Sequence, residues 1–211
     1  YEPLLLTPIT VPSPDCYQRE PGESCADYSA RQFLHMEAAL ARHAHEACAV
    51  IIEPLVQCAG SMRMHDPVYL KLLRAACDRH GVHLIADEIA VGFGRTGTLF
   101  AHWGDGIVPD IVTLAKALGG GMPIGAMLAG PKVAEAMQFG AHGTTFGGNP
   151  LAAAVARVVL RKLQSPQIVD NVTKQAQALR DGLEVLNREL SLFTEVRGRG
   201  LMLGIELQDD L

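Results

Sequence analysis

Ile111-Val112-Thr113-Leu114-Ala115-Lys116-Ala117-Leu118-Gly119-Gly120-Gly121 runs from an uncharged, partly β-branched segment into a lysine and then into three glycines. A short apolar run closed by glycines reads as a strand of a parallel sheet, buried on both faces. A lysine at the point where such a strand meets its turn sits in apolar surroundings, which favour the neutral amine that attacks carbonyl carbon. The competing reading is a solvated charge at a strand end, where most lysines lie. The neighbouring segments decide between the two.

Two further runs have the same form. Ala49-Val50-Ile51-Ile52 ends at Glu53-Pro54, and Val82-His83-Leu84-Ile85-Ala86 ends at Asp87-Glu88. Between them, Asp66-Pro67 opens a helix whose face of Leu70, Leu73 and Cys77 closes before Gly81. An earlier helix is expected over 29–45 on the spacing of Phe33, Leu34, Met36 and Leu40, and a weaker fourth strand over 124–129. The order strand, helix, strand predicts an α/β fold with a mostly parallel sheet flanked by helices. Residues 1–27, rich in proline, read as an irregular segment. Past Pro150 two helices over 151–163 and 167–190 precede strands over 193–196 and 201–207, which flank Arg197-Gly198-Arg199-Gly200. Residues 1–165 therefore read as a large domain and 166–211 as the start of a small C-terminal α+β domain.

Each strand delivers a polar residue at its carboxyl end: Glu53, Asp87 with Glu88, and Lys116. In open α/β sheets that edge is where ligands bind. Strand alternation sets Asp87 and Ile89 on one face and turns Glu88 to the other, where a structural partner is expected. The plainer reading of Asp87 is a turn cap; a lysine at the same edge favours function.

The bulk numbers narrow the rest. With 211 residues, 48% hydrophobic and 19% charged, the chain can bury a core, and disorder is excluded. A net charge of −5 without any basic block excludes nucleic-acid binding. No apolar run reaches the length of a membrane span, and Tyr1-Glu2-Pro3 opens without a basic signal region, so a cytoplasmic protein is expected. Cys16, Cys25, Cys48, Cys58 and Cys77 are odd in number and lack CxxC spacing, which predicts reduced thiols. His43 with His45 and His80 with His83 lack helical metal-ligand spacing, so no metal is expected.

Gly92-Phe93-Gly94-Arg95-Thr96-Gly97 matches the GxGxxG dinucleotide turn and follows a strand. The match stops there, because the following residues are broken by Gly104 and Gly106, and position 116, where an acidic residue would be needed, is lysine. A nicotinamide-dependent dehydrogenase is thereby disfavoured.

The strings ADEIAVGFGRTGTLFA (86–101), PDIVTLAKALGGGMPIGAMLAG (109–130) and HGTTFGGNPLAAAVA (142–156) resemble the class III, or omega, aminotransferases. The resemblance implies the type I pyridoxal-phosphate transferase fold, a homodimer with shared active sites, a small-molecule amino donor and an oxo acceptor, with pyridoxal 5'-phosphate as cofactor. Position by position, Lys116 would hold the cofactor through its aldehyde and later shuttle a proton. Asp87 would pair with the pyridinium nitrogen, and Ile89 would pack on the ring face. Thr145, with Thr144 beside it, would hydrogen-bond the cofactor phosphate of the neighbouring subunit. Glu53 would order the floor of the site. A hydroxyl in the glycine-flanked loop 143–148 can approach a phosphate closely, although an ordinary turn accounts for the same residues.

Branch signals within the resemblance diverge. PLL near the start, EPLVQ (53–57) and Ala90 resemble diaminopelargonate synthases of biotin synthesis, whereas GGGMPIGAML (119–128) and EVRGRGLMLG (195–204) resemble acetylornithine and succinylornithine aminotransferases. Family members are longer, and the upstream phosphate loop, the stacking aromatic and the downstream substrate arginine have no counterpart here. Two functions are accordingly expected to compete: transamination of a terminal amino group, in the biotin or the arginine branch, or a non-catalytic remnant with weak cofactor binding.

Overall fold

In a computed structural model, Ser24 closes the irregular opening segment by accepting a hydrogen bond from the Asp27 amide, and α1 (Cys25–His43) follows. The structure describes residues 6–208; the PLL triplet at 3–5 and the residues at 209–211 lie outside it. The opening segment is held to α1 through Ser29, whose buried hydroxyl donates to the Pro14 carbonyl at 3.0 Å and accepts from the Asp66 amide at 3.0 Å. That contact places Cys16, in a short 3-10 helix, next to the first residue of α1. The expectation of five reduced cysteines is corrected here: Cys16 and Cys25 form a disulfide with Cα atoms 5.2 Å apart, and Cys48, Cys58 and Cys77 are free.

The chain continues through β1 (Ala49–Ile52), the short antiparallel hairpin of β2 (Val56–Gln57) and β3 (Arg63–Met64), and α2 (Pro67–His80). Asp66 caps α2 from the Val68 amide, and Gly81 ends it at φ 69°, a left-handed position that a side chain would strain. Then come β4 (His83–Asp87), β5 (Ile111–Leu114), β6 (Ala126–Ala129), α3 (Pro131–Ala134), α4 (Pro150–Leu163), α5 (Pro166–Leu190), β7 (Phe193–Arg199) and β8 (Met202–Leu207). The main sheet has the order β1-β4-β5-β6, with the first three strands parallel and β6 antiparallel.

Helices cover one face of this sheet. Val82 and Leu84 pack with Phe33 and Leu40 of α1 and with Tyr69, Leu70 and Leu73 of α2. Val112 and Leu114 join Phe93, Leu118 and Ala156 of α4 in a second cluster. The residues that alternate with them are only half-buried, and Ile51 is 63% exposed. The reading of strands buried on both faces is thus corrected. An apolar run cannot by itself tell one covered face from two when its outward residues are isoleucines.

β7 extends to Arg199, beyond the expected end at 196, because Arg197, Gly198 and Arg199 pair with Gly204, Leu203 and Met202 of β8. This hairpin is tied back to the first core. Met202 is buried in it, Arg197 donates to the Met62 and Ser61 carbonyls at 3.2 and 3.0 Å, and the Leu201 amide donates to the Arg95 carbonyl at 2.9 Å. No described helix is long and apolar enough to cross a membrane.

Gly200 makes the hairpin contact possible. A Cβ there would meet the Arg95 carbonyl oxygen at 2.4 Å, and its φ of 57° disfavours any side chain. Gly182, within α5, has open space around its Cβ direction. In urea unfolding, Gly200→Ala should lower stability by roughly 1–3 kcal/mol, whereas Gly182→Ala should raise it by roughly 0.5–1 kcal/mol. Equal effects would contradict the close approach.

Candidate active site

The site begins where β4 stops. Asp87 is its last residue, and the chain then turns so that the Ile89 amide donates to Asp87 Oδ1 at 3.0 Å. This is a local side-chain-to-backbone turn, the cap that the plainer reading of Asp87 predicts. It also sets Ile89 beside Asp87, so their proximity comes from the turn and not from continued strand alternation. Thr113, the register partner of Asp87 on β5, donates its hydroxyl to the same oxygen at 3.1 Å. Among the described residues, no hydrogen bond goes to Oδ2. The carboxylate is therefore gripped through one oxygen.

Glu88 turns to the opposite face, as alternation predicts, and is fully buried there. Its Oε2 accepts from the Ala101 amide at 3.0 Å, and its Oε1 accepts from the His102 amide at 3.0 Å and meets His102 Nδ1 at 2.6 Å. Gly92 fits over it: a Cβ at that position would meet the Glu88 carbonyl oxygen at 2.8 Å. A buried carboxylate costs several kcal/mol unless its oxygens are filled, and these three donors fill them. The turn that carries Asp87 is thereby anchored from below.

Glu53 follows β1 and accepts the Cys58 amide on Oε2 at 3.0 Å, which orders the connection between β2 and β3. Its carbonyl meets Nε2 of the buried His65 at 3.2 Å, and the Asp66 carbonyl lies 3.4 Å from His65 Nδ1. Burial pushes the His65 pKa down, and its two carbonyl contacts only partly oppose this.

Lys116 opens a 3-10 helix (Lys116–Gly119) two residues past the end of β5, at the same sheet edge. The expected apolar enclosure is corrected: Lys116 is exposed, because the sheet face on this side is open. Its φ of 41° is left-handed, a conformation that costs a non-glycine residue about 1–3 kcal/mol and that gathers at functional positions. Thr144 and Thr145 lie in an exposed loop, where Thr144 Oγ1 accepts from the Gly147 amide at 3.2 Å. That loop approaches the start of β6, where Phe146 and Asn149 face Pro123 and Gly125 across a shallow cleft of about 240 Å³. No hydrogen bond joins either threonine to Asp87 or Lys116 among the described residues.

These groups suit a pyridine ring bearing an aldehyde and a phosphate. A carboxylate with one unbonded oxygen suits a protonated ring nitrogen, a primary amine suits the aldehyde, and loop hydroxyls suit a phosphate. Sequence reasoning missed Thr113 and His65. The only signal for Thr113 was a hydroxyl inside an apolar strand, and its partner follows from a register that the sequence does not encode locally.

His65 gives a pH dependence with a definite sign. Its folded pKa lies below the 6.5 of an unfolded histidine, so the folded state resists the proton that the unfolded state accepts. Stability from this group is complete above pH 6.5 and falls as pH drops from there to the folded value. Denaturant midpoints measured across that interval should decline in the unmutated chain and show a flatter profile in His65→Gln; identical profiles would contradict the assignment.

The chain matches the aminotransferase class-III family over residues 3–211. Acetylornithine aminotransferase of Xanthomonas axonopodis pv. citri is 64% identical over 172 residues, 82% of this chain and 41% of that protein. The crystal structure of N-acetylornithine aminotransferase from Stenotrophomonas maltophilia superposes with a TM-score of 0.72 at 55% identity, covering 83% of this chain and 45% of that one. A thermostable (S)-enantioselective omega-transaminase from Thermomicrobium roseum superposes with a TM-score of 0.86 at 33% identity, covering 99% and 48%. The chain thus spans less than half the length of each of these relatives. With a family match along nearly its whole length, it belongs to the class-III aminotransferases.

Proposed function

We propose that this chain forms the cofactor-holding part of a pyridoxal-phosphate-dependent aminotransferase that takes the terminal amino group of an acylated ornithine and passes it to an oxo acid. The observation that carries the reading is the pair at one sheet edge: Asp87, held through a single oxygen, and Lys116, held in a left-handed turn. The relatives named as acetylornithine aminotransferases favour the arginine branch over the biotin branch.

When bound, the cofactor supplies a protonated ring that draws electrons from the carbon bearing the substrate amine. Asp87 Oδ2 would keep the ring nitrogen protonated, since a carboxylate beside it favours the charged form. Lys116 Nζ is the amine that would hold the cofactor through its aldehyde, with loss of water, and its side chain would then serve to carry a proton. Ile89 excludes water from one ring face. Glu53 keeps the connection between β2 and β3 in place through the Cys58 amide. Thr145 and Thr144 would donate to the phosphate held by a second copy in a homodimer; the exposure of Phe139 and Phe146 on either side of them supports such a pairing. Residues 1–165 would then hold the cofactor, and 166–211 would begin a smaller domain.

One observation favours the other reading, a remnant with weak cofactor binding: Lys116 is exposed on an open sheet face. Titration with pyridoxal 5'-phosphate separates the two. The aminotransferase reading expects a visible absorbance band that Lys116→Ala abolishes, and that borohydride removes while leaving the cofactor covalently fixed on Lys116. A band that survives in Lys116→Ala, or a flat spectrum in the unmutated chain, would contradict it.

A further inference from the structure

We propose that Thr113 is a positioning residue for the cofactor, acting through Asp87. The inference rests on the reading of Asp87 as the partner of the ring nitrogen, and it names the group that aims that carboxylate.

Three features of the β4–β5 edge carry it. First, the parallel register sets Thr113 directly across from Asp87, so both side chains rise from the open face of the sheet. Second, the Thr113 hydroxyl and the Ile89 amide converge on one atom, Asp87 Oδ1, at 3.1 and 3.0 Å. The two donors come from different strands' ends, one on β5 and one in the turn after β4. A carboxylate tied by a single donor still rotates about χ2; two donors from different directions fix its plane. Third, Thr113 also holds the backbone there, because its carbonyl accepts the Glu88 amide at 3.0 Å. The residue thus fixes both where the Asp87 main chain ends and which way its carboxylate faces.

A β-branched residue suits this task. Its χ1 is restricted in a strand, so the hydroxyl is held in place with little loss of side-chain freedom. Valine at the same position would keep the shape and the strand preference and lose only the donor. Asp87 Oδ1 would then keep the Ile89 amide alone, and Oδ2 would be free to swing away from a ring nitrogen.

The test uses the full chain and two probes: pyridoxal 5'-phosphate and its 1-deaza analogue, in which carbon replaces the ring nitrogen. The unmutated chain should bind the natural cofactor more tightly than the analogue, because only the former has a proton for Asp87 to hold. Thr113→Val should weaken binding of pyridoxal 5'-phosphate by roughly threefold to tenfold, the range of one net hydrogen bond, and leave the analogue unchanged. Thr113→Ser, which restores the hydroxyl, should recover most of the preference. A purely structural role for Thr113 would weaken both probes alike, and that result would overturn the proposal. So would a Thr113→Val chain that keeps the full preference while the unmutated chain shows it; the reading of Asp87 would then stand without Thr113. If the unmutated chain fails to distinguish the probes, the reading of Asp87 itself falls, and the role of Thr113 with it.

Discussion

Everything at the candidate site depends on the parallel register between β4 and β5. A slip of one residue would turn Thr113 to the helix-covered face and leave the Asp87 carboxylate with one donor. The register is pinned at the far end of the pair by Asp110. Its amide donates to the Leu84 carbonyl at 2.9 Å, and its Oδ2 accepts from the Leu84 amide and from Arg74 Nη1, both at 2.8 Å. Burial pushes the Asp110 carboxyl up, but the Leu84 amide and Arg74 outweigh it and hold the pKa below the ordinary carboxylate value. One charged side chain thereby joins α2, β4 and the start of β5, and the alignment it sets reaches Asp87 three residues further along β4.

The two faces of the sheet carry different chemistry. The covered face holds the apolar clusters and one buried charge, Glu88, whose oxygens are filled by two amides and His102. The open face holds isoleucines, Asp87 and Thr113, none of them fully buried. Adjacent residues of opposite facing, Asp87 and Glu88, differ in how they are held: both oxygens of Glu88 are filled, whereas Asp87 is held through Oδ1 alone. Buried charge with complete partners is rigid, and rigidity under the turn is what keeps Asp87 where β4 ends.

Much of this was legible in the sequence. The apolar runs before Glu53, Asp87 and Lys116 gave three strands of the sheet, and Asp66-Pro67 with Gly81 gave the bounds of α2 almost to the residue. Alternation foresaw that Asp87 and Glu88 part company. Other features depend on distant partners and left no local trace. The hairpin of β2 and β3 is too short to show a period, and β7 runs through Arg197-Gly198-Arg199 only because β8 pairs with it. Exposure of Lys116 and of one sheet face depends on what covers them, which periodicity does not report. The Cys16–Cys25 disulfide depends on Ser29 drawing the opening segment onto α1, a contact between residues that composition treats as unrelated.

In the proposed site, Asp87 would hold a proton on a pyridine nitrogen while Lys116 takes the other side of the same ring. Magnetic resonance of an isotope-labelled ring nitrogen in pyridoxal 5'-phosphate bound to the chain tests this directly. The unmutated chain should give the signature of a protonated nitrogen, lost in Asp87→Asn and retained in Glu88→Gln. A nitrogen signal indifferent to Asp87→Asn would contradict it.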